Sequence, residues 1–317
     1  MISTAILVAT ALAFAWSMGA HYTGACMGMP YATSSIALRP ALALMAAMTL
    51  IGASLLSHQV LVRVGHGIIV GQLHTWPAVI VIGVAFLLTT LFTQLGIPTS
   101  TIQILVFSLI GTAIPLGLGI KWSVILHLVV LWILAPPVAC ALGFVFTRLF
   151  DLVPAFDVAG PVPIVGRLLV VVGAAASLTM GANDVSNATA VLLSVHFSGP
   201  LTAGVIGGIG LAVGVLTWGR KLLERVAFDV VRMDLKMATA AQLVQALVVL
   251  TAVGFGYFTS MNQALIGAMA GTGLARDRRT IETRVILGIL RGWIIGPAAG
   301  FAGACLIAWS YRAIGGG

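Results

Sequence analysis

Apolar residues run in long blocks through this sequence, and polar residues collect in the short gaps between them. The first block, Ile2 to Leu38, is too long for one helix across a bilayer and is interrupted in its middle. Blocks of this length predict membrane-spanning helices, each needing about 20 apolar residues. At that spacing the chain has room for roughly ten to twelve membrane segments. The pattern predicts an all-α integral membrane protein.

Composition agrees. Of 317 residues, 60% are hydrophobic and 8% charged, and the mean hydropathy is +1.13. These values exclude an ordinary soluble domain, in which roughly a quarter of residues are charged. A multi-pass protein of the cell membrane, with the lipid bilayer as its main partner, is expected. The net charge of +8 does not argue for nucleic acid. Its basic residues sit in the gaps between apolar runs, where the preference of Lys and Arg for the cytoplasmic side accounts for them. Cys26, Cys140 and Cys305 lie in apolar stretches without metal-ligand spacing, so neither a disulfide framework nor a zinc site is indicated. The run from Ile2 to Trp16 lacks a basic leader and reads as a retained first helix.

The carboxylates sharpen the picture. All eight lie beyond residue 150, and seven share their stretches with Arg, Lys or Pro, as solvated loop charges do. Asp184 lies instead between the apolar segments Leu168 to Ala176 and Ala188 to Val195. An ionisable group there costs several kcal/mol unless it meets a cavity or a partner, so it is either a functional group or a hydrogen-bonded packing residue.

The chain also repeats itself. Gly19-Ala20-His21-Tyr22 aligns with Gly181-Ala182-Asn183-Asp184 at an offset of 162. Thr99-Ser100-Thr101-Ile102-Gln103 aligns with Thr259-Ser260-Met261-Asn262-Gln263 at 160, and Trp132-Ile133 with Trp293-Ile294 at 161. We read a first repeat over residues 1–148, a cytoplasmic linker over 149–166 and a second repeat over 167–317. Charge indicates their relative orientation. The stretch Ser57 to Trp76 carries one Arg and three His, whereas its counterpart Gly219 to Lys236 carries five Lys or Arg. The connection near Lys121 has one basic residue and its counterpart Ala275 to Arg284 has four. Arg39 has no basic equivalent in His196 to Leu201. The asymmetries place the two first-half stretches and both termini outside and the basic second-half stretches in the cytoplasm, which makes an inverted repeat.

Gly24, Gly28 and Pro30 follow the first motif, and Gly96 and Pro98 precede the Thr-Ser pair, so broken or re-entrant helices are expected at both motif regions. Broken backbone is tolerated in hydrocarbon only where it is buried in protein or lines a cavity. Freed helix N-termini then offer N–H groups to an anion, and Thr99, Ser100, Thr259 and Ser260 add hydroxyls, with Gln103 and Gln263 three residues beyond each Ser.

The segment Gly181-Ala182-Asn183-Asp184-Val185-Ser186-Asn187-Ala188 resembles the signature of the inorganic phosphate transporter (PiT) family, departing from it at Ser186. Gly96-Ile97-Pro98-Thr99-Ser100-Thr101 is similar to the family's second element, with Gln103 near its usual His, and Gly219-Arg220-Lys221-Leu222-Leu223-Glu224 resembles a further family segment. The resemblance implies an inverted-repeat secondary transporter that moves inorganic phosphate with a coupling cation, Na+ or H+. By resemblance Asn183, Asp184 and Asn187 serve the anion and cation, with sodium near Asp184, and Thr99, Ser100, Thr101, Thr259 and Ser260 ligate the oxyanion. His21 and Tyr22 depart from the family's Asn-Asp pair, which leaves sulfate, the substrate of a similar branch, as the alternative. His21 is then a candidate for proton coupling, against the bland reading of a packing histidine. A homo-oligomer is a candidate assembly. A membrane-embedded enzyme is disfavoured because neither motif supplies a second carboxylate, and a channel ranks below a carrier because repeated broken helices suit alternating access.

Overall fold

A computed structural model describes residues 2–71, 73–97, 99–157, 163–229, 233–276 and 283–315. Helices α1 (Ile2–His21), α2 (Thr23–Ala32), α3 (Leu38–Leu55), α4 (His58–Gly67), α5 (Thr75–Leu95), α6 (Thr101–Ala113) and α7 (Trp122–Asp151) precede a single turn of tighter helix at Pro154–Asp157. Helices α8 (Ile164–Ser194), α9 (Pro200–Asp229), α10 (Leu235–Gly254), α11 (Met261–Arg276) and α12 (Thr283–Ala313) follow. Helix is the natural solution for such runs, because it satisfies every backbone polar group within its own segment. Stops are equally local. Gly96 takes the left-handed conformation (φ 70°) that closes α5, and the Asp234 carboxylate accepts the Met237 N–H at 2.8 Å to open α10.

Among the described residues, eight helical stretches are long and apolar enough to cross a membrane, with α1 and α2 counting as one. At 13 and 16 residues, α6 and α11 are too short to cross alone. The expected ten to twelve segments are reached only by counting these two half-helices.

Packing is reciprocal between the halves. Helix α1 packs on α9 and α5, as α8 packs on α3 and α10; α6 packs on α12, as α11 packs on α7. Glycines set the closest approaches, and these come in matched pairs. A Cβ at Gly19 would strike the Leu211 carbonyl oxygen, and one at Gly181 would strike that of Thr49, which stands 162 residues before Leu211. Gly111 meets the Phe301 carbonyl as Gly271 meets that of Cys140. Small residues that admit a neighbouring backbone are the usual means of packing helices where lipid removes the hydrophobic drive.

The two ends of the molecule are built differently. At one end, β1 (Ile69–Val70) pairs antiparallel with β2 (Gly119–Ile120), in the register Ile69 to Ile120 and Val70 to Gly119. This short ladder, which the all-α expectation did not include, ties the Ser57 to Trp76 stretch to the connection before Lys121. Helix α7, roughly 45 Å long at 1.5 Å per residue, leads from there to an ionic cluster. Here Lys236 pairs with Asp157 at 2.7 Å, and Arg276 pairs with Asp151 and, at 3.0 Å, with Asp234. The Asp151 hydrogen bond, aided by Asp234, holds the Arg276 guanidinium above its ordinary pKa. The cluster gathers the linker, the start of α10 and the end of α11. Parts of three expected connections, 158–162, 230–232 and 277–282, lie outside the described residues. Helices also reach into the expected linker and basic stretch, since α7 runs to Asp151, α8 begins at Ile164 and α9 runs to Asp229.

Candidate functional site

The site forms where the first turns of α6 and α11 meet the middle of α8 and the α1–α2 junction. The expected break before the Thr-Ser pair is present, since α5 ends at Leu95, Gly96 is left-handed and α6 starts at Thr101; after the first motif it is reduced to a one-residue junction between α1 and α2. Helix α8 runs without a break through Gly181 to Asn187, because Gly181 is used for contact with the Thr49 carbonyl and not for a turn. The α1–α2 junction is a single residue, Tyr22. Its N–H still donates to the Met18 carbonyl (3.1 Å), and its carbonyl accepts from Cys26 (3.0 Å). The free helix ends stand at the Thr-Ser pairs, as the sequence predicts. Ser100 is the N-cap of α6, its hydroxyl facing the Gln103 N–H at 3.5 Å, and Ser260 faces the Gln263 N–H at 3.3 Å. The remaining first-turn N–H groups leave a positive dipole end at each half-helix.

Asn183 locks α8 to the start of α11. Its amide Nδ2 donates to the Thr259 carbonyl at 2.8 Å, and its Oδ1 accepts the Thr259 N–H at 3.1 Å. The same Nδ2 lies 3.2 Å from Asp184 Oδ2, while Asn187 Nδ2 lies 3.2 Å from Oδ1. Asp184 is fully buried. Tyr22 and Thr101 share a hydrogen bond of 2.8 Å, and Asn187 donates to the same Thr101 oxygen at 3.3 Å. A buried carboxylate with two amide donors is stabilised in the way the interior allows.

His21 occupies the place that Asn183 holds in the other half, and it faces the equivalent carbonyl. Its Nε2 is 3.4 Å from the Thr99 oxygen and 3.3 Å from Asn262 Nδ2, and Asn262 itself donates to Thr99 at 2.9 Å. On the other side of the ring, Nδ1 is 2.7 Å from Thr93 Oγ1. The Thr93 hydroxyl hydrogen is committed to the Thr89 carbonyl (2.6 Å), so Thr93 accepts from Nδ1–H. Nε2 is then a lone pair that accepts from Asn262. The hydrogen-bond inventory therefore assigns a neutral ring protonated at Nδ1.

The structure thus gathers every residue singled out from sequence around these two helix ends. It also draws in three that sequence reading left out of the site: Tyr22, Thr93 and Asn262. Asn262 had a signal, since it is an amide in a helix where its counterpart Ile102 is apolar. Several buried polar atoms have no protein partner, and they fall in matched pairs: Oγ1 of Thr99 and Thr259, and Oε1 of Gln103 and Gln263. The buried Asn187 Oδ1, on a side chain whose amide reaches Asp184, is a fifth. Unmet hydrogen-bonding capacity of this kind, beside two positive helix ends, suits a small polar anion with a cation near the carboxylate. Among the described residues no group of three or more His, Cys, Asp or Glu side chains gathers.

Comparison with known proteins follows this geometry. A model of the phosphate transporter family matches residues 18–304. The chain is 30% identical over 316 residues to a probable low-affinity inorganic phosphate transporter of Mycobacterium bovis, covering 94% of this chain and 75% of the relative. It is 29% identical over 305 residues to the sulfate permease CysP of Bacillus subtilis, covering 90% and 82%. A solved structure described as the sodium-dependent phosphate transporter superposes with a TM-score of 0.91 at 20% identity, over 99% of this chain and 100% of that one. At that identity the likeness concerns the fold.

Proposed function

Because the chain belongs to the phosphate transporter family and is a multi-pass integral protein of the cell membrane, we propose that it is a secondary active transporter of a tetrahedral oxyanion, with phosphate as substrate and Na+ or H+ as coupling ion. The family is one of transporters, not enzymes. The observation that carries the reading is the pair of half-helix N-termini, joined by the Asn262 to Thr99 hydrogen bond of 2.9 Å and flanked by the unpartnered Thr99 and Thr259 hydroxyls. In this reading the oxyanion takes first-turn N–H groups and the hydroxyls of both halves. Any proton it retains is donated to Gln103 or Gln263. The coupling cation sits against Asp184 and Asn187 Oδ1, where its charge offsets the carboxylate that would otherwise repel the anion.

Alternating access follows if residues 1–148 and 167–317 are inverted repeats about the 149–166 linker. Reciprocal packing at offsets near 161 supports this arrangement, as does the separation of the β1–β2 end from the ionic cluster. The reading puts the ionic cluster in the cytoplasm and the β1–β2 end outside. Labelling single cysteines with an impermeant reagent, in a background lacking Cys26, Cys140 and Cys305, tests it. Residues in 57–76 should label only from outside and residues in 220–236 only from inside, and labelling of both from one side removes the inverted arrangement.

Sulfate is the second reading. It is favoured by the similarity to a sulfate permease and by Tyr22, a neutral donor, where the second half has a carboxylate. Uptake of labelled phosphate into proteoliposomes, with sodium and pH varied independently and unlabelled sulfate as competitor, decides between them. Accumulation of phosphate against its gradient supports the first reading. Accumulation of sulfate with phosphate ignored replaces it by the second.

A further inference from the structure

A cavity of about 490 Å³ opens beside α1, α5 and α9, and its walls carry Thr90, Thr93, Gln94 and Thr217. Its one charged lining residue is Lys221, which is exposed. One turn of hydrogen bonds connects this space to the anion site. Thr93 lines the cavity and holds His21 Nδ1 at 2.7 Å, and the far side of that ring contacts Asn262 and the Thr99 carbonyl at the helix ends. The His21 imidazole is thus the partition between them. The wall is fixed by Trp16, which stacks on Trp218 at 5.1 Å and donates its indole N–H to Thr217 at 2.8 Å.

On the opposite side the space is smaller. The cavity that reaches Asn187 from the α4 and β1 side holds only about 40 Å³, room for one or two waters. Nearby, the Arg63 guanidinium of α4 lies over the Tyr257 ring, 4.2 Å from its centre. Of these two cavities the one beside α1, α5 and α9 is the larger. The Thr93 and Thr217 hydroxyls give their hydrogens to the Thr89 and Val213 carbonyls, and Thr90 shares a hydrogen bond with Ser17, so the group that attracts an anion here is the cation at the rim. Arg220, the neighbour of Lys221, is paired with Glu224 at 3.0 Å, whereas no ion pair joins Lys221 to a carboxylate among the described residues.

We propose that this cavity is the cytoplasmic route of the oxyanion, with the His21 ring as its inner partition and Lys221 as the residue that draws the anion into its mouth. The inference rests on the transporter reading above and adds the path and a rate-setting residue to it. A rim charge acts at long range through solvent, so it alters encounter more than turnover and is screened by salt.

The test uses the full chain in proteoliposomes, with uptake of labelled phosphate and labelled sulfate measured in parallel. Lys221→Gln should raise KM about fivefold at low ionic strength, leave the maximal rate unchanged and lose its effect at high salt, and Lys221→Arg should restore KM. A structural role would lower the maximal rate without salt dependence. Thr217→Cys, treated from the cytoplasmic side with an anionic impermeant thiol reagent, should lose uptake and be protected by substrate, while the unsubstituted chain with its own three cysteines is unaffected. Unchanged KM in Lys221→Gln at low salt, or modification of Thr217→Cys without loss of uptake, overturns the inference alone. An unsubstituted protein that accumulates neither oxyanion overturns the transporter reading as well.

Discussion

The two motif helices solve the same mechanical problem with different chemistry. At residue 183 an amide clamps both backbone groups of Thr259, at 2.8 and 3.1 Å. At the equivalent residue 21 an imidazole meets only the carbonyl of Thr99 and borrows Asn262 to complete the junction. One position on, Asp184 is a carboxylate, while Tyr22 shares a hydrogen bond with Thr101, whose hydroxyl oxygen also accepts from the Asn187 amide that reaches Asp184. The first half has a neutral hydroxyl where the second has a charge. Beneath this difference the glycine contacts of the two halves stay matched. Helix packing retains the symmetry that the site has lost.

Removing that carboxylate should have the largest effect. Asp184→Asn keeps the shape and can still meet some of its neighbours, but it loses the charge that Asn183 and Asn187 surround. We expect coupled uptake to fall by on the order of a hundredfold or more, the scale of losing one buried charge pairing worth roughly 3 kcal/mol. The variant should elute as folded protein by size-exclusion chromatography in detergent. Normal uptake by Asp184→Asn would reduce Asp184 to a packing residue and erase the functional difference between the halves.

The matched glycines test the other side of the comparison. Gly19→Ala and Gly181→Ala each drive a methyl group into a carbonyl of the opposite half, Leu211 or Thr49. Each should cost about 1–3 kcal/mol of stability and lower the thermal midpoint by a similar amount, although one lies beside His21-Tyr22 and the other beside Asn183-Asp184. If only one of the pair is sensitive, helix packing is no more symmetric than the site.

These glycines also show where sequence reading succeeds and where it stops. The offset of 162 is written in short motifs, so the repeat and the importance of Gly19 and Gly181 were legible. Their purpose was not. A glycine that breaks a helix and one that admits a neighbouring backbone look alike until the neighbour is known; Gly181 is of the second kind, since α8 runs straight through its motif. The Thr-Ser pairs were legible as helix starts, because Gly96 and Ser100 are local stop and start signals. Thr93 was not. It is one of many threonines on an apolar helix, and only the fold brings it within 2.7 Å of His21, 72 residues away. Tyr22 was read from sequence as a lost carboxylate, whereas its hydroxyl is bound to Thr101 at the start of α6, within the network around the carboxylate that remains.

His21 offers the smallest effect and the finest distinction. Its ring is neutral in the hydrogen-bond pattern seen, with Nδ1–H given to Thr93 and Nε2 accepting from Asn262. Adding a proton at Nε2 would turn an acceptor into a donor aimed at the Thr99 carbonyl, 3.4 Å away, and displace the Asn262 amide that occupies that oxygen. Protonation would thus move a first-turn residue of α11 and place positive charge beside the anion. Among the described residues the ring's partners carry no charge: α5 presents Thr93, the loop before α6 presents the Thr99 carbonyl, α11 presents Asn262, and the Tyr22 ring stands edge-on at 5.1 Å. On this argument wild-type affinity for the oxyanion rises as pH falls and the ring gains its second proton. His21→Gln keeps a donor and an acceptor but cannot take the proton. At neutral pH its uptake should stay within about threefold of wild type, since one neutral hydrogen bond is worth roughly 1 kcal/mol, while the pH dependence of KM flattens. A pH profile of KM that is the same in His21→Gln as in wild type would leave His21 as a packing residue, and the difference between the two halves would then rest on Tyr22 alone.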